Sequence, residues 1–350
     1  MTKRTALVPG AIGITGRAII EFLEKDGNWD IIGLSRRSNN FDSKAKFISV
    51  DLLNKEDSTK KIKELSSITH VFYCAYSPQK SVQDEIAPNI SMLKNLMDGL
   101  EPVAKDLEHI QLMHGAKWYG SYLGPYKTPA KEDDPRPIAK NFYHAQQDWI
   151  VERQSGKSWT WSAVRPHGIW GFSVGSRMNL MTGIVLYAAI SKHMGLPLKW
   201  PGTPEFYNCL YNIIDTDLLA EAMCWVATTA KTKNNAYNIS NGDFFRWKDL
   251  WPKIAEFFNL DVGPIQTVSL QTVMADKEPI WSEIVKNHKL QPYTLSDLTR
   301  WDYLDMALSN GYDQMSSITK IRQAGWQKTF DTEKTISKQM QKLRDSKIIP

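Results

Sequence analysis

Short apolar runs alternate with amphipathic stretches through the first half of the chain, and the alternation points to one class of fold. Thr5-Ala6-Leu7-Val8 reads as a buried strand, and from Arg17 to Lys25 the apolar residues Ala18, Ile19, Phe22 and Leu23 recur at helical spacing. Further strands are expected at 30–34, 46–50, 69–75, 108–113 and 159–164, with a helix over 82–100 and another starting at Asn141. Such strand and helix alternation predicts an α/β fold, a Rossmann-type doubly wound parallel sheet. Beyond residue 172 the pattern turns helical and aromatic, with helices expected at 179–192, 217–227 and 247–258 and a strand at 236–240. A smaller, mainly helical C-terminal lobe over 173–350 is therefore expected to pack on residues 1–172, with later segments returning to the first part.

The turn after the first strand is Pro9-Gly10-Ala11-Ile12-Gly13-Ile14-Thr15-Gly16. Glycines between a strand and a helix allow a tight turn and close approach of backbone N–H groups to a pyrophosphate, with the helix dipole favouring the anion. Gly10, Gly13 and Gly16 follow GxxGxxG rather than GxGxxG spacing, and a purely structural turn is the alternative. The second strand ends in Ser35-Arg36-Arg37. Two arginines there suit a 2′-phosphate, and hence NADP over NAD, unless they are plain surface charges. Asp51 and Leu52, after the third strand, stand where such folds contact adenine. Residues 1–172 are accordingly read as an NADP-binding domain.

The candidate chemistry centres on Tyr143, in Asn141-Phe142-Tyr143-His144, at the start of a helix that follows a proline-rich loop. Reductases of this general type carry a lysine four residues after the tyrosine, one turn along the same face. Here that residue is Gln147. Lys117, just past the fifth strand, is placed to reach a ligand instead, because ligands of open α/β sheets bind beyond the carboxyl ends of the strands.

Composition narrows the classes. The chain has 350 residues, 42% of them hydrophobic, and a net charge of +5 from dispersed lysines and arginines. Dispersed charge argues against a nucleic-acid partner. No stretch has the apolar length of a membrane span. Three scattered cysteines and a strand that begins almost at the N-terminus lead to the expectation of a cytoplasmic protein without a signal peptide. His114, His144 and His167 lack companions at metal-ligand spacing, so no metal is expected.

With these pieces in place the chain resembles the progesterone 5β-reductase/iridoid synthase (PRISE) family, an atypical branch of the extended short-chain dehydrogenase/reductases, over nearly its whole length. The resemblance is carried by Gly10 to Gly16, Ser35-Arg36-Arg37, residues 69–73, Asn141-Phe142-Tyr143, Arg165-Pro166 through Gly171-Phe172-Ser173, Met178-Asn179-Leu180 and Asn238 to Asp243. Members use NADPH to reduce the C=C bond of an enone or enal. Their tyrosine lies in an NFYY motif and their lysine in a separate GRKxY-like segment. The resemblance implies Tyr143 and Lys117 as the catalytic pair, with His144 standing where the second tyrosine would be and with the segment before the lysine, His114-Gly115-Ala116, lacking the family's arginine. It also implies cofactor contacts from Ala75, Tyr76, Met113, Pro166, Ile169, Ser176 and Met178. In this scheme Tyr143 serves the carbonyl oxygen as an oxyanion donor, and Lys117 holds the nicotinamide ribose and lowers the tyrosine's pKa. An apolar enone or enal would sit among Trp118, Tyr119, Phe172, Trp301 and Tyr303, and the resemblance allows a homodimer. Carbonyl reduction or other extended-family chemistry, and a non-catalytic NADP sensor, are the alternatives; the missing lysine at 147 argues against the usual proton relay of the former.

Overall fold

A computed structural model describes residues 3–350. Strands β1 (Arg4–Pro9), β2 (Trp29–Ser35), β3 (Lys46–Ser49), β4 (His70–Tyr73), β5 (His109–Met113) and β6 (Thr160–Pro166) join the later strand Asn235–Ile239 in a seven-stranded sheet. From one edge the order is Asn235–Ile239, β6, β5, β4, β1, β2, β3, and all pairings are parallel. The order reverses at β1, so the chain leaves β1 and β4 toward opposite faces of the sheet, and a crevice lies beyond their carboxyl ends.

Both faces of the sheet are covered, which is why the strands read as unbroken apolar runs. On one face α1 (Ile14–Asp26) lies against the helix Thr216–Thr228, burying Ile19, Leu23, Leu219 and Met223. On the other, α2 (Lys55–Ile62), α3 (Ile86–Leu100) and α4 (Phe142–Gln154) bury Ile62, Leu93, Leu96 and Ile150. A third core, beyond β6, gathers α5 (Leu180–His193) with Trp170, Trp200, Trp247, Trp251 and Trp281. The strand and helix positions match the expected alternation, and Asn235–Ile239 is the edge strand by which the later chain rejoins the sheet. Among the described residues no helix is long and apolar enough to cross a membrane.

Candidate functional site

A cavity of about 820 Å³ opens along the carboxyl ends of the strands. The glycine turn forms its floor through Gly10, Ile12, Gly13, Ile14 and Gly16; Ser35, Arg36 and Arg37 stand at one end, with Asp51, Leu52, Ala75, Tyr76, Met113, Tyr143, Ile169, Ser176 and Met178 along the sides. Gly10 has φ +83, and a Cβ there would lie 2.6 Å from the Cys74 carbonyl carbon. A Cβ on Gly16 would lie 2.2 Å from the Gly10 oxygen. The turn therefore demands glycine at both positions to close against β4.

The N-cap of α1 is Gly13, which supplies no side-chain cap, and the first turn has no acidic residue. Its amides and dipole are thus suited to an anionic group such as a pyrophosphate. A strap from the far half of the chain crosses this turn: Ser173 Oγ donates to the Ile12 carbonyl at 2.7 Å, and the Ile14 amide donates to Ser176 Oγ at 3.0 Å. The exposed Arg37 lies against the strap, where a Cβ on Gly175 would come within 2.4 Å of its guanidinium.

Tyr143 sits in the first turn of α4, which the sequence caps with Asn141. Asn141 Oδ1 accepts from the Tyr143 amide at 3.0 Å and the His144 amide at 3.4 Å, while the Asn141 amide reaches back to His144 Nδ1 at 3.4 Å. His144 Nε2 meets the Trp118 carbonyl at 3.0 Å. His144 is therefore a capping-box residue whose ring is turned to the segment behind Tyr143. The Tyr143 ring lies beside Phe142 and 4.8 Å from the ring of His114. Burial, then the charges of Glu85 and Tyr303, pushes the phenol well above its ordinary pKa.

Lys117 follows β5 in a short 3₁₀ turn, Ala116–Tyr119, and is off the cavity wall, as is Pro166. Its ammonium pairs with the buried Glu85 at 3.1 Å and lies 5.7 Å from the Tyr76 ring centre, and Tyr76 also donates to Glu85. The expected lowering of the tyrosine's pKa by lysine is not what the site shows: Glu85 partners the lysine, and burial first, then Glu85, lift Tyr143. The sequence does not mark Glu85: at the polar start of the helix expected over 82–100, nothing sets one carboxylate apart as buried.

Gln147 has a partner of its own. Its Oε1 accepts from Arg165 Nη2 at 3.0 Å, and Arg165 is 2% exposed. The same guanidinium reaches the Tyr119 hydroxyl at 3.3 Å and the Glu132 carbonyl at 3.1 Å and lies 3.6 Å from the Trp118 ring centre. A lysine at 147 would face a buried cation. Trp118 and Tyr119, nominated for the substrate pocket, belong instead to a small core with Ala130 behind Tyr143, and the Tyr119 hydroxyl donates to Asn238 Oδ1 at 2.5 Å. Phe172, Trp301 and Tyr303 are half-buried against the tryptophan-rich core and are not part of the cavity wall, although Tyr303 is close enough to Tyr143 to influence its ionisation. The wall nearest that core is made by Tyr293, Ser296, Asp297 and Arg300, which no motif marked.

Comparisons with known proteins bear on the family and the fold. Residues 6–350 match the model of the PRISE-like Rossmann-fold domain. The (S)-8-oxocitronellyl enol synthase of Antirrhinum majus is 34% identical over 368 residues, covering 99% of this chain and 93% of that protein. That of Catharanthus roseus is 33% identical over 365 residues, with 99% and 93% covered. Among solved structures, UDP-glucose 4-epimerase of Thermus thermophilus, in complex with NAD, superposes with a TM-score of 0.67 at 18% identity, covering 97% of this chain and 99% of that one. Such a distant likeness bears on the fold alone, whereas the match along nearly the whole sequence decides the family: the chain belongs to the PRISE-like Rossmann-fold proteins.

Proposed function

We propose that the protein is an NADPH-dependent ene-reductase acting on the activated C=C bond of an enone or enal. One observation carries this most: Tyr143 faces the cavity at the strand ends with its phenol held protonated, while the residue one turn on is engaged by Arg165. A protonated phenol is a hydrogen-bond donor and a poor base. It suits the stabilisation of negative charge on a carbonyl oxygen better than a proton relay. The name of the relatives, enol synthase, fits a product of that kind.

Bound NADPH would supply hydride to the β-carbon of the conjugated alkene. The glycine turn and the first amides of α1 would hold its pyrophosphate, Arg36 and Arg37 its 2′-phosphate, and Asp51 and Leu52 its adenine end. Tyr143 donates a hydrogen bond to the substrate's carbonyl oxygen as the enolate forms, and the enolate takes the proton that completes the reduction from solvent as it leaves the site. The buried walls around the phenol exclude water and strengthen that bond. Lys117, fixed by Glu85 and by its own backbone, serves as a positioned cation at the edge of the site. Residues 173–350 contribute mainly the substrate side. Three free cysteines fit a reducing, cytoplasmic setting.

The test is oxidation of NADPH in the presence of 2-cyclohexen-1-one by the wild type and by Tyr143→Phe. Turnover is expected to fall about a hundredfold in the variant, the usual effect of losing one oxyanion donor. Equal rates would remove Tyr143 from the chemistry.

A further inference from the structure

His114 is the first residue after β5, and its backbone amide donates to the Val164 carbonyl at 2.9 Å. Its side chain is 1% exposed, yet neither ring nitrogen has a hydrogen-bond partner. The fold treats its other buried imidazoles differently. His109 is held by the Thr160 and Ser162 hydroxyls at 2.8 Å each, His70 by the Thr69 hydroxyl at 2.9 Å, and His144 by the Trp118 carbonyl at 3.0 Å. Among the described residues, His114 is the buried imidazole left with both nitrogens unpaired. A buried polar group without a partner is costly, and such groups call for a water, an ion or a ligand.

Its position narrows that choice. His114 lines the cavity beside Tyr143, their rings 4.8 Å apart and inclined by 35°. Behind it the ring is stacked on Trp118 at 5.8 Å and 14°, and Trp118 is in turn fixed by the Arg165 guanidinium at 3.6 Å and the edge of His144 at 4.6 Å. Burial, and then the Arg165 charge, hold the imidazole's pKa far below its ordinary value. A neutral imidazole carries one N–H donor and one acceptor nitrogen, so an oxygen ligand suits it and a phosphate pairing that needs a cation does not.

We propose that His114 is a second hydrogen-bond donor to the carbonyl oxygen of the substrate, alongside Tyr143. The proposal rests on the ene-reductase reading given above and deepens it: the charge that collects on that oxygen is shared between a phenol O–H and an imidazole N–H. No proton moves to or from His114. The residue does its work by being rigid, neutral and already stripped of water, as an oxyanion donor must be.

The decisive measurement is the side-chain ¹⁵N spectrum of the histidines in the wild-type protein with NADP⁺, titrated with cyclohexanone. The His114 signals, assigned by their loss in His114→Gln, are expected to move while those of His70 and His109 stay. An unmoved His114 signal overturns the proposal. Kinetics give an independent arm: with 2-cyclohexen-1-one, His114→Leu is expected to lose about tenfold or more in kcat, with NADPH affinity retained, and His114→Gln, which keeps an N–H, to lose less. Equal losses in the two variants count against donation. A wild type whose imidazole responds to the ketone but which fails to oxidise NADPH with enones would sink the ene-reductase reading and leave His114 as a carbonyl-binding group.

Discussion

Asn141 Nδ2 donates to the carbonyl oxygen of Lys117 at 2.7 Å. The same side chain caps α4 through its oxygen, so one amide group ties the segment carrying the tyrosine to the segment carrying the lysine. Asn141 is 0% exposed. Asn141→Ala removes the cap and leaves the Lys117 carbonyl without this donor. A loss of about 1–2 kcal/mol of stability is expected in urea melts, with a fall in kcat larger than that in NADPH affinity. A variant with normal turnover would show that the tie does not position Tyr143.

The pH profile separates two states of the tyrosine. A lysine-activated phenolate, its pKa brought below the ordinary tyrosine value of about 10, would make turnover rise with pH from neutrality upward. Burial and Glu85 instead raise the Tyr143 pKa. The protonated donor is therefore present at all lower pH, and kcat for enone reduction is expected to be flat from about pH 6 to 9. Glu85→Gln removes one of the raising charges, so any alkaline limb should move down in pH. A profile that climbs steadily across neutrality contradicts the donor role.

Gln147→Lys restores the residue that ordinary reductases carry, and it should harm this protein. The new ammonium meets the Arg165 guanidinium where Oε1 now accepts a hydrogen bond. A loss of about 1–3 kcal/mol is expected, read from denaturation midpoints, with no gain of ketone reduction. Gln147→Glu, which keeps an acceptor and adds an opposite charge, should be tolerated. Comparable destabilisation by both variants would show that charge at this position is not the issue.

Arg36 and Arg37 are exposed at one end of the cavity. Arg37→Ala is expected to raise the KM for NADPH about tenfold, the loss of one charge-assisted contact, and to leave that for NADH nearly unchanged. Parallel changes for the two cofactors would move Arg37 from phosphate recognition to support of the Val174-Gly175-Ser176 strap.

Acid should unfold the protein early. Burial lowers the pKa of His70 to about 4 and that of His109 to about 3. Both are neutral in the fold, while in the unfolded chain they take up protons near the ordinary histidine value of about 6.5. Their contribution is complete above about pH 6.5 and is lost progressively as pH falls through about 4 for His70 and about 3 for His109. Urea midpoints at about pH 7.5 and about pH 5 measure it, and His109→Gln should reduce the difference. A midpoint that does not change between the two would rule out neutral burial of these rings.

The periodic parts of the molecule are legible in the sequence. Strand β1, the glycine turn, α1 and the arginines after β2 are consecutive, and local period and turn chemistry are enough to read them. What escapes is held by contacts between distant residues. Arg165 and Gln147 lie in different elements, and nothing in an Arg-Pro pair tells that the guanidinium is buried behind Trp118. The aromatics Trp118 and Tyr119 carry no sign of which side of the turn faces the cavity, and they go to the core. Glu85 and Lys117 are separated by helix α3 and strand β5, so neither their pairing nor the burial that, ahead of Glu85, raises the Tyr143 pKa is legible in the sequence. His114 stands out in the sequence only as a histidine without metal companions. Its lack of a hydrogen-bond partner is a property of packing, which sequence does not record.

The serine strap has a further consequence for solvent. Ser176 Oγ accepts the Ile14 N–H, one of the amides a helix N-terminus ordinarily leaves to water. A hydroxyl that accepts from an amide is polarised to donate its own proton more strongly. In the cofactor reading proposed above, the N-terminus of α1 would thus be extended by one side chain from the other half of the protein, with the Ser176 hydroxyl standing between the Ile14 amide and the bound anion. Less hydration must be shed at the moment of binding, because a neighbour has already displaced it.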